Sequence, residues 1–250
     1  MRRLLPPHLA LGGEVQAVEA YDTKDRPSPD GRPWVLLDMI ASADGATHAG
    51  GVTAELGGPA DKAVFAVLRG VADVILVGAA TVRAERYGPP RPSEATRQRR
   101  RERGQAEVPT LAVVSASLEL EWDSPLFTES PIRPLVITAA GVDPERLERA
   151  GEVADVLLAG AGRSVDLGAA LRELRQRGAA VVTCEGGPRL NGQLVDAGLV
   201  DEVCLTLSPT LLGGDSARIA AGTGDGALRR MRLVHLLEQD GLVFLRWVRR

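Results

Sequence analysis

Short apolar runs that lead directly into a glycine and a helix start recur along this chain, and they limit its fold more than any other feature. Val71-Ala72-Asp73-Val74-Ile75-Leu76-Val77-Gly78 runs straight into Ala79-Ala80-Thr81-Val82. Ala179-Ala180-Val181-Val182-Thr183-Cys184 runs into Glu185-Gly186-Gly187-Pro188. Runs of this length, rich in β-branched residues and bounded by turn formers, read as strands buried on both faces. Further strands are expected at Trp34–Ala41, Thr110–Val114, Pro134–Thr138, Val153–Leu158 and Val200–Leu207. Amphipathic helices are expected near 59–70, 167–177 and 189–197, with Gly178 as a left-handed C-cap. Strands alternating with helices imply a mostly parallel sheet covered on both faces. The chain then closes with two apolar runs, 228–238 and 242–248, joined at Gln239-Asp240-Gly241, which predicts an antiparallel C-terminal hairpin. The expected fold class is α/β, as one domain over 34–250. Residues 1–33, rich in Pro, Gly and charge, are expected to form an N-terminal arm or short helix.

Composition removes several classes of function. A net charge of -3 gives no electrostatic footprint for nucleic acid. The basic run Arg97-Gln98-Arg99-Arg100-Arg101-Glu102-Arg103 lacks interleaved aromatics and reads as a solvated loop or short polar helix. Aromatic residues make up only 3% of the chain, so the core is aliphatic. Cys184 and Cys204 lie in apolar runs and read as buried free thiols of a cytoplasmic protein. No apolar stretch approaches the ~20 residues of a membrane span. His8, His48 and His235 are scattered, and no metal is expected.

Two strand ends carry the pattern of a phosphate site. Beyond the carboxyl end of a parallel strand, glycine lets backbone approach a ligand, and the next helix offers unpaired N–H groups. At Gly78-Ala79-Ala80-Thr81, Thr81 adds a hydroxyl and Arg83 is placed to meet a 2′-phosphate. At Glu185-Gly186-Gly187-Pro188-Arg189-Leu190-Asn191-Gly192-Gln193, two glycines clear a strand end and Pro188 presets the helix. The dinucleotide fingerprint G-x-G-x-x-G is absent. Glu185, at the strand's carboxyl end, is poised to accept hydrogen bonds from a ligand.

Together with Ser42-Ala43-Asp44-Gly45, Thr81-Val82, Gly198-Leu199-Val200-Asp201-Glu202 and Pro209-Thr210-Leu211-Leu212-Gly213-Gly214, these loops occur in an order that resembles the reductase domain of riboflavin biosynthesis. The resemblance runs from Trp34 to the C-terminus. It implies a dihydrofolate-reductase-like fold and NADPH as hydride donor. The implied substrate is the ribose of 5-amino-6-(5-phosphoribosylamino)uracil. Carried over by position, Thr53, Thr81, Glu85, Ser115 and Gly187 to Gln193 match cofactor contacts. Ser42, Asp44 and Glu185 match the substrate side, and Arg91 lies near an arginine that grips the substrate phosphate. Members of the family pair through their sheets, and an exposed apolar hairpin edge is hazardous in a monomer, so a homodimer is expected.

This chain departs from the family pattern in three places. Glu85 stands where aspartate is usual, and Arg86-Tyr87-Gly88-Pro89 replaces an Asp-x-Pro. Asp38 occupies a strand position where lysine or asparagine is usual. An ionised carboxylate there only accepts, which would suit the amino and amide groups of a pterin. A buried Asp38 would instead gain a raised pKa and the capacity to relay a proton. Asp38 and Glu185 are both candidates for proton transfer. A pterin reductase and a non-catalytic NADP(H)-binding protein are the alternative readings. The motifs of the zinc deaminase fused to many relatives are absent.

Overall fold

A computed structural model describes residues 1–5, 13–29, 31–48, 53, 55–222, 224 and 226–250, with Leu5 described in its backbone only. His8 and Asp30 therefore lie outside the described residues. The described chain contains one ten-stranded sheet in the order β1-β9-β10-β8-β2-β7-β3-β4-β5-β6. The central strand is β2 (Trp34–Ser42), flanked by β7 (Val181–Cys184) and β8 (Glu202–Ser208), both parallel to it. Strands β3 (Val74–Gly78), β4 (Thr110–Val114), β5 (Leu135–Thr138) and β6 (Asp155–Leu158) continue the parallel array outward from β7. On the other side, β10 (Leu242–Arg249) and β9 (Met231–Gln239) run antiparallel. Asp240 and Gly241 both have positive φ, +55° and +81°, as a tight two-residue hairpin turn demands.

Side chains alternate across the sheet and build a core on each face. Val35, Leu37, Leu76 and Val182 pack with Leu167, Leu171 and Leu174 of α7 (Leu167–Gln176) and Leu194 of α8 (Pro188–Asp196). Leu36 and Trp34 face the opposite way, onto Val64 and Leu68 of α2 (Pro59–Val71). Gly178 ends α7 with φ +94°, the cap that the sequence predicts.

The first residues, expected as an arm or short helix, contribute a strand and a helix. Arg2–Leu5 forms β1, which pairs with β9 at Glu238, Leu237 and Leu236, and Ala17–Tyr21 forms α1. The C-terminal hairpin consequently lies inside the sheet's margin, with part of its outer edge covered. The basic run forms α4 (Glu94–Glu102), the short polar helix foreseen, but Arg100 is buried within it. Its guanidinium donates to the carbonyls of Gly70 and Ala72, which places a cation at the C-terminal end of α2. Helix α6 (Pro144–Val153), capped by Asp143, was not foreseen. No helix among the described residues is long and apolar enough to cross a membrane.

Candidate active site

The site follows from one short strand. β7 stays beside β2 only as far as the pair Leu37–Cys184, whereas β8 accompanies β2 to Ser42. After Cys184 the chain leaves β2 and follows β3 (α3 is Ala79–Ala84). Glu185 N donates to Leu76 O at 2.9 Å, and Gly78 N donates to Gly186 O at 2.7 Å. From Asp38 onward β2 therefore has no strand on that side among the described residues. Asp38 and Met39 are half-buried while the rest of β2 is buried. A cleft opens where the strand order switches, beyond the carboxyl ends of parallel strands.

The two glycine loops meet at this cleft. Gly186 has φ +87°, a conformation that side-chain-bearing residues rarely adopt. A Cβ on Gly187 would lie 2.6 Å from Thr81 Oγ1, and one on Gly78 would lie 3.5 Å from Gly187 N. Gly187 is the N-cap of α8 and makes no side-chain bond there. The glycines thus let the two loops pack closely on one another, and the first-turn N–H groups of α8 and the Thr81 hydroxyl form a cradle at their junction. That cradle fits a dinucleotide pyrophosphate. The fit stops one turn into α8. Leu190 belongs to the core, and Gly192 lies under Ala221, whose carbonyl would be 2.2 Å from a Cβ. Asn191 is fully buried, donating to Ile219 O at 2.7 Å and accepting from Cys184 Sγ. Arg189 and Gln193 are exposed. α3 is capped by Gly78.

Across the cleft lies a cluster of acids. Glu185 is buried and accepts from Arg69 Nε at 2.6 Å, Arg69 Nη2 at 2.7 Å and the Tyr87 hydroxyl at 2.8 Å. The Arg69 guanidinium sits 4.1 Å from the Phe65 ring centroid and 5.5 Å from that of Tyr87. Beneath them, Asp38 Oδ2 is shut off from solvent and has no hydrogen-bond partner among the described residues. Burial pushes the Asp38 carboxyl well above the usual range; Glu185 and Asp61 add to this, and Arg69 opposes it. Asp61 is also raised by burial, against a hydrogen bond from Thr206. Beside the cluster, Thr53, Phe65, Arg69, Glu85, Arg86, Tyr87 and Gly88 line a cavity of about 280 Å³. Thr53 and Glu85 meet there, Thr53 N donating to Glu85 Oε1 at 2.9 Å.

Other expected site residues are placed differently. Asp44 accepts from Gly213 N at 2.7 Å and from Leu212 N, and Ser42 Oγ also bonds to it. The Ser42–Gly45 turn is thereby stapled to the Pro209–Gly214 loop. Ser115 Oγ accepts from Leu118 N and shapes its own turn, and Arg83 reaches the carbonyl of Glu119. Arg91 pairs with exposed Glu129 and does not line the cavity, whose cations are Arg69 and Arg86.

Arg69 and Asp61 were not singled out from the sequence, and Arg86 and Tyr87 only as part of a departure from the family pattern. Phe65 and Arg69 stand four apart on α2, the spacing at which helical side chains meet, so their contact was readable. What Arg69 reaches beyond Phe65 was not, because Glu185 is 116 residues away in sequence.

The RibD C-terminal domain model matches residues 33–243. The 2,5-diamino-6-ribosylamino-4(3H)-pyrimidinone 5′-phosphate reductase of Aquifex aeolicus is 29% identical over 82% of this chain and 89% of its own. Among solved structures, a pyrimidine reductase-like protein from Corynebacterium diphtheriae superposes with a TM-score of 0.80. It is 28% identical, over 88% of this chain and 92% of that one. Dihydrofolate reductase from Enterococcus faecalis shares the fold at a TM-score of 0.51 and 13% identity, over 89% of this chain and 99% of that one. The α/β fold is thus dihydrofolate-reductase-like, and the chain belongs to the RibD C-terminal domain family of riboflavin biosynthesis.

Proposed function

We propose that this protein is an NADPH-dependent reductase that opens the ribose of a phosphoribosylaminopyrimidine to a ribityl chain in riboflavin biosynthesis. The observation that carries this reading is the convergence of a glycine cradle and a buried acid cluster on one cleft. The cradle of Gly78, Thr81, Gly186 and Gly187 would hold the cofactor's pyrophosphate. The bound dihydronicotinamide supplies a hydride for the sugar's anomeric carbon. The protein's own work is to orient the two reactants, keep water out and provide a proton. Glu185 and Asp38 border the reacting end. Arg86, which lines the cavity and makes no ion pair among the described residues, is the candidate grip on the substrate phosphate in place of Arg91. Thr53 and Glu85 would close the cofactor side.

The Aquifex aeolicus relative is named for the 2,5-diamino pyrimidinone, whereas a structural neighbour from Thermotoga maritima is named for the 5-amino uracil. Both pyrimidines therefore belong in the assay. NADPH oxidation on mixing with either pyrimidine, and none with dihydrofolate, is the expected outcome; NADPH binding with no oxidation by either would sink the proposal. Gly187→Ala drives a methyl group toward Thr81 Oγ1. It should lower kcat/KM on the order of 100-fold by displacing the cofactor. The protein would work in the cytoplasm as a homodimer. In support, β1 covers β9 only around Leu236–Glu238, which leaves the outer edge of Met231–His235 without a strand among the described residues. Light scattering that showed only monomer at micromolar concentration would refute the dimer.

A further inference from the structure

Two carboxyl groups border the cleft, and the proposed chemistry needs one proton, delivered to the ring oxygen as its bond to the anomeric carbon breaks. The two groups are not equivalent. Three donors converge on the two oxygens of Glu185: both Arg69 nitrogens and the Tyr87 hydroxyl, all within 2.8 Å. A carboxyl that only accepts is ionised. Glu185 thus has no proton to give, and the proton of Tyr87 points at Glu185.

Asp38 is the reverse case. Its Oδ2 meets neither solvent nor a hydrogen-bond donor among the described residues. The groups that face it are Asp61 and Arg69 of α2, Glu185 at the end of β7, Tyr87 after α3, Tyr21 of α1 and Cys204 of β8. Arg69 is the one cation among these, and its Nε and Nη2 are committed to Glu185. A shielded carboxyl set beside two other acids and no uncommitted cation keeps its proton. The raised titration of Asp38 agrees with this, burial being the main cause. Asp38 is not wholly buried, and it stands where β2 loses its β7 neighbour, on the side where a ligand would enter.

We propose that Asp38 is the general acid of the reduction, and that Arg69 is the positioning residue that holds Glu185 ionised so that Asp38 carries the proton. The inference rests on the function proposed above. In the step itself, the anomeric carbon gains a hydride from the dihydronicotinamide, which is oxidised. The carbon's bond to the ring oxygen breaks with its electron pair going to oxygen. Asp38 protonates that oxygen to a hydroxyl. Asp38 is then an anion beside Glu185 and Asp61, an arrangement that favours recovering a proton from water before the next turnover.

Asp38→Asn keeps the shape and removes the acid. With either pyrimidine it should lower kcat by about 10²- to 10⁴-fold while KM moves little, and the high-pH limb of kcat should vanish. Arg69→Gln should displace that limb, and Arg69→Lys should restore part of it. A second readout needs no turnover. The infrared spectrum of the ligand-free protein at neutral pH should show a protonated-carboxyl band that Asp38→Asn abolishes. An Asn variant with unimpaired kcat, or a wild type without the band, would overturn the assignment. If the wild type oxidised NADPH with neither pyrimidine, the function itself would fall, and the general-acid role with it. The band would still decide which carboxyl holds the proton.

Discussion

Two clusters of buried acids sit on the central strands, and they are built on opposite charge arithmetic. Where β2 begins, Asp201 and Glu202 are surrounded by cations. Glu202 takes Arg26 at 2.8 and 2.9 Å, Arg246 at 2.7 Å and the Trp34 indole at 3.0 Å. Asp201 takes Arg32, Arg249 and the Val35 amide. Further along β2, Asp38 and Glu185 share the guanidinium of Arg69, and Asp61 stays raised by burial despite Thr206 and Lys62. Surplus cation yields a clamp whose carboxylates stay charged. Surplus acid leaves a group that must hold a proton, which is what a site for proton transfer needs. The Asp-Glu pair that forms part of the family pattern is thus structural in this chain, fastening the residues before β2 to β8 and β10.

The comparison breaks most readily at Glu202. Glu202→Gln leaves Arg26 and Arg246 buried without their countercharge and should cost roughly 3–5 kcal/mol in denaturant unfolding. A loss under about 1 kcal/mol would mean that the clamp is not one. A pH titration of stability sharpens the same point. Burial alone would raise the Glu202 carboxyl, but Arg26 and Arg246 override it and hold it at about 2. A depressed carboxylate stabilises the fold above its unfolded pKa of about 4.3. That contribution, on the order of 3 kcal/mol, should disappear as pH falls from about 4.3 through about 2.

Asp38 should behave with the opposite sign. Its folded pKa is raised, so the folded state holds the proton longer and stability falls as pH climbs from the unfolded pKa to the folded one. Asp38→Asn should therefore raise the Tm at neutral pH while it lowers kcat, a trade typical of functional sites. A lowered Tm would contradict the acid-surplus account. The smallest effect belongs to Arg91. It and Glu129 form an exposed pair, so Arg91→Ala should change stability by less than about 1 kcal/mol. It should leave KM unaltered, whereas Arg86→Ala should raise KM for the phosphorylated substrate.

Periodicity and turn chemistry carried most of the fold. The strands at Thr110–Val114 and Val181–Cys184, the Gly178 cap and the hairpin at Asp240-Gly241 are local events with local signals. Helix α6 also had one, since Asp143 caps Glu145 and Arg146 through a local Asp-Pro-Glu, but its apolar stripe is thin. The edge strand β1 had none: Arg2 and Arg3 are placed by pairing with β9, at the far end of the chain. In the site, the glycines were legible because close approach demands them. The partners of Glu185 were not, because Arg69 and Tyr87 reach it only once β7 ends beside β3. Arg91 and Asn191 show the converse. Position in a motif pointed to ligand, while packing gives one an exposed ion pair and the other a buried amide network.

The most direct test of the account follows the hydride. The purified protein would be incubated with NADPH deuterated at the nicotinamide C4 position and the ribosylaminopyrimidine phosphate, and the product analysed by mass spectrometry and NMR. The account predicts a ribityl product with a single deuterium on the former anomeric carbon, formed by the wild type and strongly diminished in Asp38→Asn. A product without deuterium at that carbon, or an unchanged ribose after prolonged incubation with both pyrimidines, would contradict it.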